Sequence, residues 1–209
     1  MFGFIKSLFS KQNIIPEEKD PMKKFLIVGL GNIGDEYAET RHNIGFKILD
    51  EVAKTNDFTF ETVKLGDIGT YKIKGRTIIC LKPSTYMNRS GKALKYWMDK
   101  ENIPQSNVLV ITDDINLPFG TIRIKTKGSN GGHNGLKDVE LFLQTILYNR
   151  YRFGVGADFG QGRQVEYVLG QWNDEEKALL PERLKKSTEI INSFALAGIA
   201  RTMNQYNNS

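Results

Sequence analysis

The chain of 209 residues has a single cysteine, Cys80, and two histidines, His42 and His133. One thiol excludes an intramolecular disulfide, and one thiol with two imidazoles makes a Cys/His zinc site a poor fit. No run of about 18 apolar residues occurs, so no membrane-spanning helix is expected. H-E-x-x-H and G-x-S-x-G are missing as well, which removes zinc-activated water and the serine nucleophile elbow. Cys80 sits inside the apolar stretch RTIICLKP, where a thiol is ordinarily inert. Any imidazole chemistry therefore has two positions to use.

What is present describes an ordinary folded chain. At 23.7 kDa, with 40% hydrophobic and 25% charged residues, it can bury a core without a disulfide or metal staple. Its length fits one domain or a tight pair. Twenty-nine Lys and Arg against 24 Asp and Glu give +5 and a pI near 9.1. That balance permits an anionic partner without specifying one.

Residues 1–22 read differently from the rest. Phe2, Phe4, Ile5, Leu8 and Phe9 make a short amphipathic stretch that runs into KQNIIPEEKDP. Lys6, Lys11 and Lys19 balance Glu17, Glu18 and Asp20, so the whole surplus charge lies beyond residue 22. The acidic residues and the want of a small-residue cleavage site argue against a transit or secretory signal. The expectation is a flexible, dispensable extension, with Met22 as a possible alternative start.

From Lys23 onward the pattern alternates. KKFLIVGL, RTIICLKP, NVLVIT and YRFGVGA read as strands, and TYKIKG pairs with RTIICLKP across a turn at Gly75-Arg76. IGFKILDEVAKT, SGKALKYWMDKEN and NGLKDVELFLQTIL have helical spacing. Asn173 and Glu176 form an N-cap pattern for a last helical region, which Pro181 is expected to interrupt. Strands alternating with helices predict one α/β domain over 23–209, with a mixed, mostly parallel sheet flanked by helices.

Gly29-Leu30-Gly31-Asn32-Ile33-Gly34 matches G-x-G-x-x-G directly after a strand, so a nicotinamide-dependent oxidoreductase has to be weighed. The following DEYAETRHN is too polar for the helix that should back the pyrophosphate. Asp50 and Glu51 fall inside a helical pattern rather than at the end of a second strand. The glycines are expected instead to shape a tight turn presenting Asn32.

Polar residues crowd the connections after the strands: Tyr37 to Asn43, Ser84 to Asn88, Asp113-Asp114, and the glycine-rich loop Gly128 to Gly135. If the strand ends gather at one sheet edge, Asn32, His42, Asn88, Asp113 and Asn134 converge there. A neutral imidazole beside a carboxylate is a general base, and side-chain amides can donate to a developing oxyanion. That apparatus fits ester or amide hydrolysis by a histidine-activated water.

GLGNIG, YAETRHNIGFKILD, STYMNRSGKAL, DDINLP, SNGGHNGLKDV and RYRFGVG stand in the order found in bacterial-type peptidyl-tRNA hydrolase. The resemblance runs from about Lys23 to Gly170 and is looser in the C-terminal helices. It implies a twisted mixed sheet flanked by helices, and cleavage of the ester joining a peptide to the 3′ ribose of tRNA. His42 falls on the general base, Asp113 on the carboxylate that steadies it, and Asn32 on the residue that separates N-blocked from free aminoacyl substrates. Tyr37, Tyr86, Met87, Asn88 and Asn134 match substrate-binding positions, and Lys125 and Arg152 match a basic pair that receives a tRNA phosphate. His133 is left to orient the glycine loop. Ile33 replaces a usual proline, Asn116 a common Asp, and Asn130 an occasional second loop histidine.

The resemblance further implies a monomer acting in the cytoplasm on peptidyl-tRNA, with no metal or organic cofactor, no membrane and no obligate protein partner. In TIRIKTKG, period two places Arg123, Lys125 and Lys127 on one strand face, which suits phosphate contact. A non-catalytic RNA-binding module on the same fold is the alternative. It has no use for a base and its orienting carboxylate.

Overall fold

The computed structural model describes residues 23–207. The expected extension at 1–22, with its amphipathic stretch, lies outside the described residues.

Seven strands form one sheet: β1 (Lys24–Gly29), β2 (Glu61–Val63), β3 (Gly66–Ile73), β4 (Arg76–Pro83), β5 (Val108–Asp114), β6 (Ile122–Lys125) and β7 (Asn149–Gly154), in the order β2-β3-β4-β1-β5-β7-β6. The central run β4-β1-β5-β7 is parallel, and β2, β3 and β6 join antiparallel at the two edges. The sheet is therefore mixed as expected, with parallel pairing confined to the centre. Lys74 and Gly75, both at positive φ, close the β3–β4 hairpin one residue earlier than the expected Gly75-Arg76 corner.

Both faces of the sheet are covered, which is why β1 and β5 read as continuous apolar runs. Phe25 and Ile27 point into a core with α1 (Ile44–Thr55) and α5 (Asp174–Ala197). Leu26 and Val28 point the other way, against α2 (Ser90–Lys100) and α3 (Asn134–Leu143). A short α4 (Gln164–Val168) and a terminal α6 (Ile199–Tyr206) complete the set.

Two local expectations change and one holds. Pro181 does not interrupt the last helical region: α5 runs through it, and the break comes at Gly198, with φ 82°. Pro181 forfeits one backbone bond on an exposed face, while the buried stripe Leu180, Leu184, Ser187, Ile191, Phe194 continues across it. The capping box of Asn173 and Glu176 is formed as predicted. Strand β6 ends at Lys125, so Lys127 leaves the face shared by Arg123 and Lys125.

The glycine motif is explained by packing. A Cβ on Gly29 would lie 2.4 Å from the Gly45 carbonyl oxygen, and one on Gly45 would lie 2.4 Å from that of Leu30. The first turn of α1 thus presses directly on the end of β1. That helix starts ten residues after Gly34, which itself adopts φ 111°; only a single 3-10 turn, Asp35–Tyr37, follows the glycines directly, and its acidic Asp35 and Glu36 would repel a pyrophosphate. The nicotinamide alternative loses its structural basis.

Candidate active site

The C-terminal ends of β1, β4 and β5 lie at one edge of the sheet, because these strands are parallel. The segments leaving them line a cleft of about 1210 Å³, together with the glycine-rich loop, α3 and α4. Asn32, His42, Met87, Asn88, Asp113, Lys125, Asn134 and Arg152 all line it. Tyr37 and Tyr86 do not; Tyr37 is half-buried on the turn after Gly34 and Tyr86 is exposed.

The turn at β1 fixes Asn32. Its backbone N–H donates to Asn43 Oδ1 at 2.8 Å, and Asn43 Nδ2 donates back to its carbonyl at 2.9 Å. Its own Oδ1 accepts from the Met87 N–H at 2.8 Å. This orients the amide, leaving Nδ2 as the donor available to a bound molecule.

His42 lies on the 3-10 turn Arg41–Asn43, just ahead of α1. Its Nδ1 stands 2.9 and 3.0 Å from the two oxygens of Asp113, at the end of β5. A carboxylate opposite Nδ1 sets the tautomer: the proton is on Nδ1, and Nε2 keeps its lone pair. Burial lowers the His42 pKa, but the charge and hydrogen bond of Asp113 outweigh that, and the net effect is a pKa above the ordinary 6.5. For Asp113, burial works against ionisation, yet the two neighbouring imidazoles hold the carboxyl well below the usual carboxylate range.

The second imidazole is His133, whose place in the site exceeds its expected role. It does order the glycine loop: its Nδ1 accepts from the N–H groups of Gly135 and Leu136, at 3.1 and 3.2 Å, as the N-cap of α3. The proton is thereby placed on Nε2, which reaches Asp113 Oδ1 at 2.9 Å and Thr112 Oγ1 at 2.7 Å. Asp113 thus accepts from both histidines, whose ring centroids are 4.9 Å apart. No motif announces this link, because residues 113 and 133 meet only through the fold.

His42, Asp113 and His133 also place three potential metal-ligand atoms within 4.8 Å of one another. Both imidazole nitrogens in that set carry hydrogens aimed at Asp113, so they offer protons rather than lone pairs. The geometry describes a hydrogen-bonded triad, which fits acid–base work better than ligation.

Beyond the triad the cleft floor is cationic. Tyr151 and Phe153 of β7 enter one core, so Arg150 and Arg152 project from the opposite face. On β6, Arg123 stands opposite Arg152 and Lys125 opposite Arg150. Lys125 and Arg152 are therefore diagonal neighbours on one face, and Arg152 Nε pairs with Asp114. Arg150 was not expected here. It is buried, donates from Nη1 to the Ser129 carbonyl at 2.9 Å, and lies over the Tyr148 ring at 5.0 Å. The alternation R-Y-R in NRYRFG carries its signal, since it sends both arginines the same way.

Of the three positions departing from the family pattern, Ile33 is exposed and the other two are held by hydrogen bonds. Asn130 donates to Glu140 Oε2 at 2.6 Å and its Oδ1 accepts from the Gly132 N–H at 3.1 Å. The Asn116 N–H donates to Asp114 Oδ1 at 2.8 Å.

Residues 26–209 match the family model for peptidyl-tRNA hydrolase. The chain belongs to that family. Peptidyl-tRNA hydrolases of Bacteroides fragilis and Porphyromonas gingivalis are 56% and 53% identical to it over 184 residues. Those residues make up 88% of this chain, 98% of the first relative and all of the second. A crystal structure of peptidyl-tRNA hydrolase from Acinetobacter baumannii superposes with a TM-score of 0.83 at 33% identity, covering 89% of this chain and 95% of that one. The fold of this peptidyl-tRNA hydrolase family member is thus that of its solved relatives.

Proposed function

We propose that the chain hydrolyses the ester between the peptide and the 3′ ribose of peptidyl-tRNA, with His42 as general base. Membership of the family supports the activity. The single observation that carries the mechanism is the His42–Asp113 contact, which commits Nδ1 and frees Nε2 toward the cleft.

Water held at His42 Nε2 loses a proton to the imidazole as its oxygen attacks the ester carbonyl carbon. The imidazolium forms against the Asp113 carboxylate, which lowers the cost of that charge. Amide donors from Asn88 and Asn134 are the groups available to the tetrahedral oxyanion. Collapse expels the ribose oxygen, which takes the proton back from His42. The products are the peptide carboxylic acid, which loses its proton to solvent, and tRNA with its terminal hydroxyl restored, and the base is regenerated.

Asn32 binds the peptide backbone of an N-blocked substrate through Nδ2, Met87 and Asn88 line the acyl site, and Lys125 with Arg152 receives a tRNA phosphate. Tyr37 and Tyr86 stand outside the cleft lining, so contact through them needs a substrate that reaches beyond it. Residues 23–209 are the catalytic domain and 1–22 a dispensable extension. Among the described residues no helix is long and apolar enough to cross a membrane. A monomer acting in the cytoplasm without cofactor fits this reading.

The test is deacylation of N-acetylaminoacyl-tRNA in water enriched in oxygen-18. The label is expected in the released N-acetylamino acid carboxylate and not in the tRNA. Label in the ribose hydroxyl, or no release, refutes attack by water at the acyl carbon.

A further inference from the structure

His42 stands between two anchored neighbours. A 3-10 turn advances about 120° per residue, so Arg41, His42 and Asn43 point three different ways. Asn43 is tied to Asn32 by the two hydrogen bonds described above. Arg41 points to the C-terminal part of the chain, 7% exposed. Its Nη2 donates to Glu176 Oε2 at 2.7 Å, its Nε to Oε1 at 3.4 Å, and its Nη1 to the Tyr167 carbonyl at 3.4 Å. The guanidinium lies 4.4 Å above the Tyr167 ring and 5.7 Å from that of Trp172. The backbone follows: the Arg41 N–H donates to the Gly170 carbonyl at 3.1 Å, and Thr40 bridges Gln171.

The carboxylate on the far side is itself fixed. Glu176 is the third residue of α5, and its Oε2 accepts from the Asn173 N–H at 2.8 Å while its own N–H donates to Asn173 Oδ1 at 2.8 Å. One side chain therefore closes the α5 capping box and receives Arg41. A buried ion pair is a poor source of net stability, because desolvating both charges offsets their attraction. It does impose direction, since a planar guanidinium with a carboxylate, a carbonyl and an aromatic face accepts few orientations.

We propose that Arg41 is a positioning residue for the base: its clamp on Glu176 sets the backbone of the Arg41–Asn43 turn so that the His42 imidazole faces Asp113. The same clamp joins the base to α4, since Tyr167 belongs to α4 and Gln164, Val165 and Val168 of that helix line the cleft. The inference rests on the hydrolase reading for its kinetic readout but not for its spectroscopic one.

The test compares Arg41→Met, Arg41→Lys and Glu176→Gln, all in the full chain. With N-acetylaminoacyl-tRNA, Arg41→Met is expected to lower kcat at least about tenfold and to leave KM within about twofold, as a misaligned base does. Arg41→Lys keeps the charge and one contact to Glu176 but not the planar fork, so it is expected to recover part of that loss. Nitrogen-15 imidazole spectra provide the independent signature, with only two histidines to assign. The His42 Nδ1–H signal is expected to broaden or vanish in Arg41→Met and to persist in Arg41→Lys. Should Arg41→Met fail to fold, Glu176→Gln retains an acceptor for the Asn173 N–H but removes the charge and turns the oxygen facing Arg41 Nε into a donor. It is then expected to lower kcat at least about threefold and to shift the same signal. Wild-type kcat with unchanged His42 signals, in whichever variant folds, overturns the proposal. Inactivity of the wild-type chain refutes the hydrolase reading instead, and the imidazole spectra still decide the role of Arg41.

Discussion

His42 presents Nδ1 to both carboxylate oxygens of Asp113, at 2.9 and 3.0 Å. The contact fixes the tautomer and raises the imidazole pKa above 6.5, with Asp113 as the cause that overcomes burial. The sign of the pH dependence follows. The base works only when neutral, so kcat/KM rises with pH through a value above 6.5 and falls away below it. Asp113→Asn removes the charge that raises the pKa, so its acid limb is expected to move to lower pH. The plateau is expected to drop by about 10²–10⁴, because an amide no longer imposes the tautomer. The other titratable group against His42 is His133, which the substitution leaves in place. A pH–rate profile of the two proteins checks both effects.

The amide of Asn32 is held by one hydrogen bond from Met87 to Oδ1, which assigns Nδ2 to the substrate. Asn32→Asp keeps the acceptor for Met87 and exchanges the donor for an anionic oxygen. The ratio of kcat/KM for N-acetylated over free aminoacyl-tRNA is expected to fall at least about tenfold, or about 1.4 kcal/mol. Parallel deacylation assays of the two substrates measure that ratio.

Lys125 and Arg152 share a strand face but differ in their surroundings, because Arg152 is paired with Asp114 and Lys125 is exposed. Lys125→Ala is expected to reduce the salt slope of tRNA binding by about 0.7–0.9, the loss of one phosphate contact. Arg152→Ala is expected to weaken binding further, since it also leaves the buried Asp114 carboxylate unpaired beside the phosphate site. Binding measured across a range of salt concentrations separates the two.

The family match begins at residue 26, and the 184 aligned residues account for nearly the whole length of the relatives. Deleting residues 1–21 is therefore expected to leave kcat and KM for N-acetylaminoacyl-tRNA unchanged. A steady-state comparison with the full chain checks it.

Legibility varied with how local each feature is. The central strands were readable because Phe25, Ile27, Leu26 and Val28 fill cores on both sides of the sheet, giving continuous apolar runs. The convergence of Asn32, His42, Asn88, Asp113 and Asn134 followed from their places after strands. Pro181 misled because a proline's local cost is visible in sequence, whereas the buried stripe that carries α5 past it is a tertiary property. His133 was half legible: its position before NGLKD marks a cap, but its bond to Asp113 depends on the α3 loop meeting the end of β5. The Arg41–Glu176 pair spans 135 residues and left no trace in local pattern.

The most direct test of the central claim is the rate at which wild-type protein and His42→Ala deacylate N-acetylaminoacyl-tRNA under identical conditions. The wild-type chain is expected to release N-acetylamino acid and intact tRNA, and His42→Ala to do so at least about 10² more slowly while remaining folded. Equal rates for the two proteins would contradict the assignment of His42 as the base, and no release by the wild-type chain would contradict the activity itself.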